Sequence, residues 1–184
     1  MRVSDFVRLV IDVCRMRRGP QDIPYSPTLL IALLVASTVL DVVVGGLLGA
    51  TVGESLFRAL LFSVILLGFT ALALGMRHRR GRFVQAVSAM VACGLAISLL
   101  QAPLALLIGS GRAAAGETTV VLAASALHYL LVVGLFAASA WQLLIFANIL
   151  RAALQIAFAV AIALVFSWFF AFWAIGSVIE MAYA

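Results

Sequence analysis

Residues 119–178 read TVVLAASALHYLLVVGLFAASAWQLLIFANILRAALQIAFAVAIALVFSWFFAFWAIGSV, sixty residues with a single charge, Arg151. As one helix this block would run about 90 Å, three times the roughly 30 Å of a bilayer's hydrocarbon core. It must therefore cross and come back. Its polar interruption, Asn148, Arg151 and Gln155 behind Trp141-Gln142, marks a tight turn near 147–152. That gives two spans, about 119–147 and 152–178, each long enough to tilt or to project beyond the bilayer.

Three more apolar stretches of spanning length precede this block, at about 27–49, 57–76 and 83–108. Ser26-Pro27 opens the first of them, with Ser as N-cap and Pro at the first helical position. The whole chain agrees: of 184 residues, 66% are hydrophobic and 10% charged, and the mean hydropathy is +1.24. Soluble domains carry about 25% charged residues. The composition excludes a soluble enzyme, a disordered chain and a disulfide scaffold. The fold class expected is all-α, a polytopic membrane protein of five transmembrane helices with an N-terminal interfacial amphipathic helix.

Residues 2–18 supply that helix. Val3, Phe6, Val7, Val10, Ile11 and Cys14 fall on one side at 100° per residue, and Arg2, Asp5, Arg8, Asp12 and Arg15 on the other. Charges interrupt its apolar residues, so it does not read as a signal peptide. A helix of this kind lies in the headgroup plane or packs on the protein's own face. Gly19-Pro20 stops it, and Pro20, Pro24 and Pro27 keep the connector extended. Residues 1–26 thus form a cytoplasmic amphipathic helix and Pro-rich connector, and residues 27–184 the five-helix transmembrane domain.

All twelve basic residues are arginine. Ten of them (Arg2, Arg8, Arg15, Arg17, Arg18, Arg77, Arg79, Arg80, Arg82 and Arg151) fall on one side of the five-span arrangement, and only Arg58 and Arg112 on the other. The positive-inside rule then puts the N-terminus in the cytoplasm and the C-terminus outside. The Arg- and Ala-rich composition points to a bacterial inner membrane. A net charge of +5 would suit nucleic acid, but arginines clustered beside spans face anionic lipid headgroups instead. Arg77, Arg79, Arg80 and Arg82 form the densest cluster, set for lipid or partner contact.

Within the spans, Asp41 is the residue that demands a reason, because a carboxylate inside the bilayer costs about 2.5–3.5 kcal/mol on insertion scales. Counted inward from the outer end of each span, Gln101 and His128 lie at a similar depth. Arg58 enters the second span nearby. Asp41, Gln101 and His128 are expected to form an intramembrane polar layer. That layer either locks the bundle by interhelical hydrogen bonds, at about 0.6 kcal/mol each, or relays an ion or proton. Gly45, Gly49 and Gly53 recur every four residues and read as a helix-packing stripe, internal or at a homo-oligomer seam. Trp168, Phe169, Phe170, Phe172 and Trp173 read as an aromatic belt, and Pro103 predicts a kink beside Gln101. Cys14 and Cys93 lack metal-ligand spacing and lie in different segments, so no disulfide is expected. No catalytic motif, metal cluster or cofactor box is present, and no enzyme is expected.

Two stretches carry a family resemblance. One opens the third span, Arg82-Phe83-Val84-Gln85-Ala86-Val87-Ser88, and runs to Leu100-Gln101-Ala102-Pro103. The other is Trp141-Gln142-Leu143, leading to Leu150-Arg151-Ala152-Ala153-Leu154. With the basic amphipathic start and five spans, they resemble the Yip1-like family of small membrane proteins. The resemblance implies a five-span fold without a catalytic motif and a part in membrane organisation. The function expected is non-enzymatic: organising or assisting assembly of another membrane component, through a membrane-protein partner or a homo-oligomer. The alternative is a small oligomeric channel or transporter built on the polar layer.

Overall fold

The computed structural model describes residues 3–115 and 126–183. Among them are six α-helices and no strand: α1 (Val3–Cys14), α2 (Pro27–Leu47), α3 (Val52–Met76), α4 (Phe83–Ala115), α5 (Ala126–Leu154) and α6 (Phe158–Tyr183). The last five are long and apolar enough to cross a membrane, with mean hydropathies of 2.2 to 2.3. Short single turns of 3₁₀ helix occur at Pro20–Asp22 and Arg80–Arg82.

Local chemistry sets the helix starts. Ser26 Oγ accepts the Leu29 N–H at 3.2 Å, and Pro27 follows at the first helical position. At α3 the capping is reciprocal. Thr51 Oγ1 accepts from Glu54 N–H at 3.2 Å, and Glu54 Oε2 accepts from Thr51 N–H at 2.9 Å. This box starts α3 at Val52, five residues before the start expected from hydropathy.

The helix ends obey a different rule. After α1, α2, α3 and α5 the chain enters the left-handed region at Met16, Gly49, His78 and Gln155, with φ of 58°, 90°, 54° and 54°. In each case the next N–H reaches back to a carbonyl five residues earlier: Arg17 to Asp12, Ala50 to Gly45, Arg79 to Leu74 and Ile156 to Arg151. These are Schellman ends, which satisfy the last carbonyls of a helix without side chains. Only one of the four uses glycine. The turn between α5 and α6 is therefore at 155–157, not at 147–152. Asn148 and Arg151 stay helical, because Gln155 and not the polar cluster before it makes the reversal.

The five long helices pack as a ring in the order α2, α3, α6, α5, α4, with α1 against α4 on the outside. One end of the ring is tied by arginine and glutamine. Arg82 Nη1 donates to Ala152 O at 3.3 Å, and Gln85 Nε2 donates to Ile23 O at 3.0 Å. The connector after α1, the α3–α4 connection and the α5–α6 turn thus meet there. Every residue of α4 from Ala86 to Cys93 is buried. Leu66, Leu74, Ile145, Ile149, Leu150 and Val165 close around this segment. Toward the other end the walls thin, and Val39, Leu99, Leu107, Val133 and Phe136 are 56–73% exposed. Apolar surface of that extent suits a lipid surround.

Helix α1 uses its apolar arc in two parts. Leu9, Val10 and Val13 are buried in the common core, while Val7 and Ile11 stay exposed. Trp141 Nε1 donates to Cys14 O at 3.2 Å, and the Cys14 and Cys93 side chains are neighbours between α1 and α4. The helix end is therefore level with Cys93, eleven residues or about 16 Å along α4 from Arg82. α1 is docked on the bundle and not detached in the headgroup plane. The two cysteines, expected to lie apart, are neighbours, and both are free thiols.

Candidate functional site

At the open end of the ring lies a cavity of about 580 Å³, walled by all five long helices. Helix α2 contributes Ser37, Asp41 and Gly45, and α3 contributes Ser55, Arg58, Phe62 and Ser63. From α4 come Met90, Gly94, Ser98 and Gln101, from α5 Gln142 and Phe146, and from α6 Phe172. Each set follows the three- and four-residue steps of one helix face, with Ser63 beside Phe62 on α3. The inward face of each apolar span thus carries its few polar groups to a common space.

The floor of the cavity is aromatic and closed. Phe62 stacks edge-on against Trp168 at 5.2 Å and against Phe172 at 5.5 Å, and Phe146 lies 5.8 Å from Trp168. Leu66, Met90 and Phe146 are each at most 2% exposed. Below them the core is continuous to the arginine-rich end. The cavity is a vestibule that reaches the α2–α3 turn at Leu48 and Ala50 and is shut at its other end by these buried side chains.

Hydrogen bonding leaves the vestibule rich in acceptors. Ser37 Oγ donates to Leu34 O at 3.0 Å, so its lone pairs remain available. Gln101 Nε2 donates to Ser139 Oγ at 3.0 Å, and Ser139 in turn donates to Leu135 O at 2.9 Å. That fixes the Gln101 carboxamide and leaves its Oε1 free to accept. The Asp41 carboxylate has no hydrogen bond or ion pair among the described residues. Ser55, only 6% exposed, packs its Oγ against Gly45 with no hydrogen-bond partner among the described residues. Such a hydroxyl costs about 1–3 kcal/mol unless something meets it. Arg58 is the cation of the wall.

Of the expected polar layer, Asp41 and Gln101 share the vestibule wall and His128 does not. His128 is in the first turn of α5, because that helix is described from Ala126 and runs on to Leu154. The residue of α5 level with Gln101 is Ser139. Ser55, Ser63, Ser98 and Gln142 were not singled out from the sequence, although the spacing Gly94, Ser98, Gln101 is a helical face legible in the chain.

The three glycines of the expected stripe divide among three roles. Gly45 brings α2 against α3, since a Cβ there would run into Ser55 Oγ. Gly49 is the left-handed residue of the turn, and Gly53 has no neighbour within 4 Å of an added Cβ. The chain bends at 48–51, so the three do not line one helix. The basic cluster also divides. Arg82 caps the carbonyl end of α5 through Ala152, while Arg77 and Arg80 are exposed. A cation at a helix C-terminus is favoured by the helix dipole.

Among the described residues no group of three or more His, Cys, Asp or Glu side chains is placed to hold a metal ion. Comparison with protein-family models, with curated proteins and with solved structures finds no match.

Proposed function

We propose that this multi-pass protein is a small carrier or channel of a bacterial inner membrane, with its N-terminus cytoplasmic and its vestibule open to the outside. The observation that carries this reading is the vestibule itself: about 580 Å³, walled by all five long helices, with Asp41, Arg58 and Gln101 at membrane depth. Small-ligand sites occupy about 300–1,000 Å³ and combine apolar walls with a few convergent polar groups. A bundle that needed only to pack would have no reason to keep an unpartnered carboxylate there. No step of the reading requires covalent chemistry, so the protein acts as a non-enzyme. Shut toward the arginine-rich end, the ring corresponds to an outward-facing state.

Thiol access tests the reading without knowledge of the solute. In a cysteine-free background, Ser98→Cys is expected to react with an impermeant methanethiosulfonate in right-side-out vesicles. Met90→Cys, at the floor, is expected to react from the opposite side in inside-out vesicles once the ring alternates. Labelling of neither position from any side would end the proposal. Labelling of Ser98→Cys alone would reduce it to a binding site that does not pass its ligand.

The exposed Arg77 and Arg80 favour a second reading. They form a cationic face for anionic headgroups or an acidic membrane partner. An assembly role, such as the Yip1-like resemblance implies, would use that face. Replacing Arg77 and Arg80 by Gln should then strip the partner during purification in mild detergent, and an unchanged set of co-purifying proteins would end that role.

A further inference from the structure

The vestibule's hydrogen-bonding balance says more than that a ligand enters. The Ser37 hydroxyl and one N–H of the Gln101 carboxamide donate inside the protein, at 3.0 Å each, which leaves the Ser37 lone pairs and Gln101 Oε1 as acceptors in the wall. Asp41 adds a carboxylate with no partner among the described residues, while Arg58, the cation of the same wall, has a partner of its own. The same wall carries the rings of Phe62 and Phe172, whose faces attract cations and apolar groups alike. A ligand that satisfies this surface needs a positive charge with N–H donors at one end and an apolar body at the other.

Resting on the reading of the vestibule as a ligand site, we propose that it takes an amphiphilic organic ammonium. The ammonium would sit at Asp41 with Ser37 and Gln101 as further acceptors, and the apolar body on the aromatic floor. A carboxylate in a low-dielectric wall discriminates strongly by charge, because the Coulomb term is screened far less there than in water. An acceptor-rich wall also rejects a neutral isostere that cannot supply the missing donors.

Three probes of one shape test this: 1-naphthylmethylammonium, neutral 1-naphthylmethanol and anionic 1-naphthylacetate. Binding is read by equilibrium dialysis against the full chain in nanodiscs, with empty discs subtracted. The ammonium is expected to bind at least about tenfold more tightly than the alcohol, and the acetate least tightly. Asp41→Asn should bring ammonium and alcohol to within about twofold of each other, and Asp41→Glu should keep most of the preference. Asp41→Glu keeps the carboxylate, so it serves where Asp41→Asn fails to fold. Ammonium binding no tighter than alcohol binding in the native chain, or a preference that survives in Asp41→Asn, overturns the proposal. Access to Ser98→Cys involves no ligand. If that site labels and the ammonium does not bind preferentially, the cation chemistry alone is wrong; if it does not label, the vestibule reading falls too.

Discussion

Gly45→Ala is expected to destabilise the protein, while the same change at Gly46, one residue on, stabilises it. In an open helix interior Gly→Ala gains about 0.8–1 kcal/mol, because the glycine backbone loses more freedom on folding. Gly46 is open: nothing lies within 4 Å of an added Cβ. At Gly45 an added Cβ meets Ser55 Oγ closer than any real contact, and Ser55 Cβ lies at 3.0 Å. Ser55 is on the first turns of α3, just past a four-residue connection, so α3 cannot retreat without disturbing the Thr51–Glu54 cap. Overpacking of this kind costs about 1–3 kcal/mol. After the helix gain, Gly45→Ala should lose up to about 2 kcal/mol. Combining it with Ser55→Ala removes the worst contact and also a hydroxyl that has no partner. The double variant should recover at least about 1 kcal/mol more than the single effects sum to. The assay is reversible unfolding by SDS in mixed micelles, monitored by circular dichroism on all four chains of the cycle, with Gly46→Ala as the control. If Gly45→Ala stabilises as much as Gly46→Ala, and Ser55→Ala does not change that, the close approach of α2 and α3 is not real.

The helix ends and the docked α1 carry further expected outcomes. Gln155→Gly should stabilise by about 0.5–1 kcal/mol, since it relieves a non-glycine left-handed residue of a cost near 1–2 kcal/mol while adding unfolded-chain entropy; the same change at Asn148, inside α5, should instead destabilise by about 0.3 kcal/mol. Arg82→Gln should cost about 1 kcal/mol in the same unfolding assay through the lost hydrogen bond to Ala152 O, whereas Arg77→Gln should cost nothing measurable. Copper-phenanthroline should join Cys14 to Cys93 within one chain and lower its mass by two hydrogens; a failure to join them would mean α1 does not dock as described. The neighbouring Cys93 side chain holds the Cys14 thiol below the ordinary thiol range. In Cys93→Ala the pH midpoint for Cys14 alkylation should therefore move upward, and an unmoved midpoint would exclude the thiol pair.

The five spans were legible because hydropathy alone decides them, and Ser26-Pro27 located one boundary to the residue. Boundaries closed by Schellman geometry were not legible. Met16, His78 and Gln155 carry no local stop signal, and the backbone conformation they adopt is imposed by the packing of the next segment of chain. That one blind spot moved the α5–α6 turn by several residues. Asp41 and Gln101 were found because a polar residue in an apolar span has few explanations. Ser55, Ser98 and Gln142 were passed over because serine and glutamine are individually tolerated in helices, and only their common direction marks them. Amphipathicity revealed the two faces of α1 but not its seat, since an apolar arc that wide suits lipid and protein equally. The Cys14–Cys93 pair had no signal in the chain, because proximity across helices leaves no trace in spacing.

The seat of α1 has a consequence for the order of events on the ribosome. The α4 surface that receives it, level with Cys93, lies 79 residues beyond Cys14. At about 5–20 residues per second, the N-terminal helix waits roughly 4 to 16 s before its binding surface exists. During that wait Leu9, Val10 and Val13 need cover, and the nearest is the lipid headgroup layer, where a basic amphipathic helix rests readily. The surface-bound helix that the sequence describes and the docked helix of the finished bundle are then successive addresses of one segment. Val7 and Ile11, left bare after docking, are the edge by which it still touches the first.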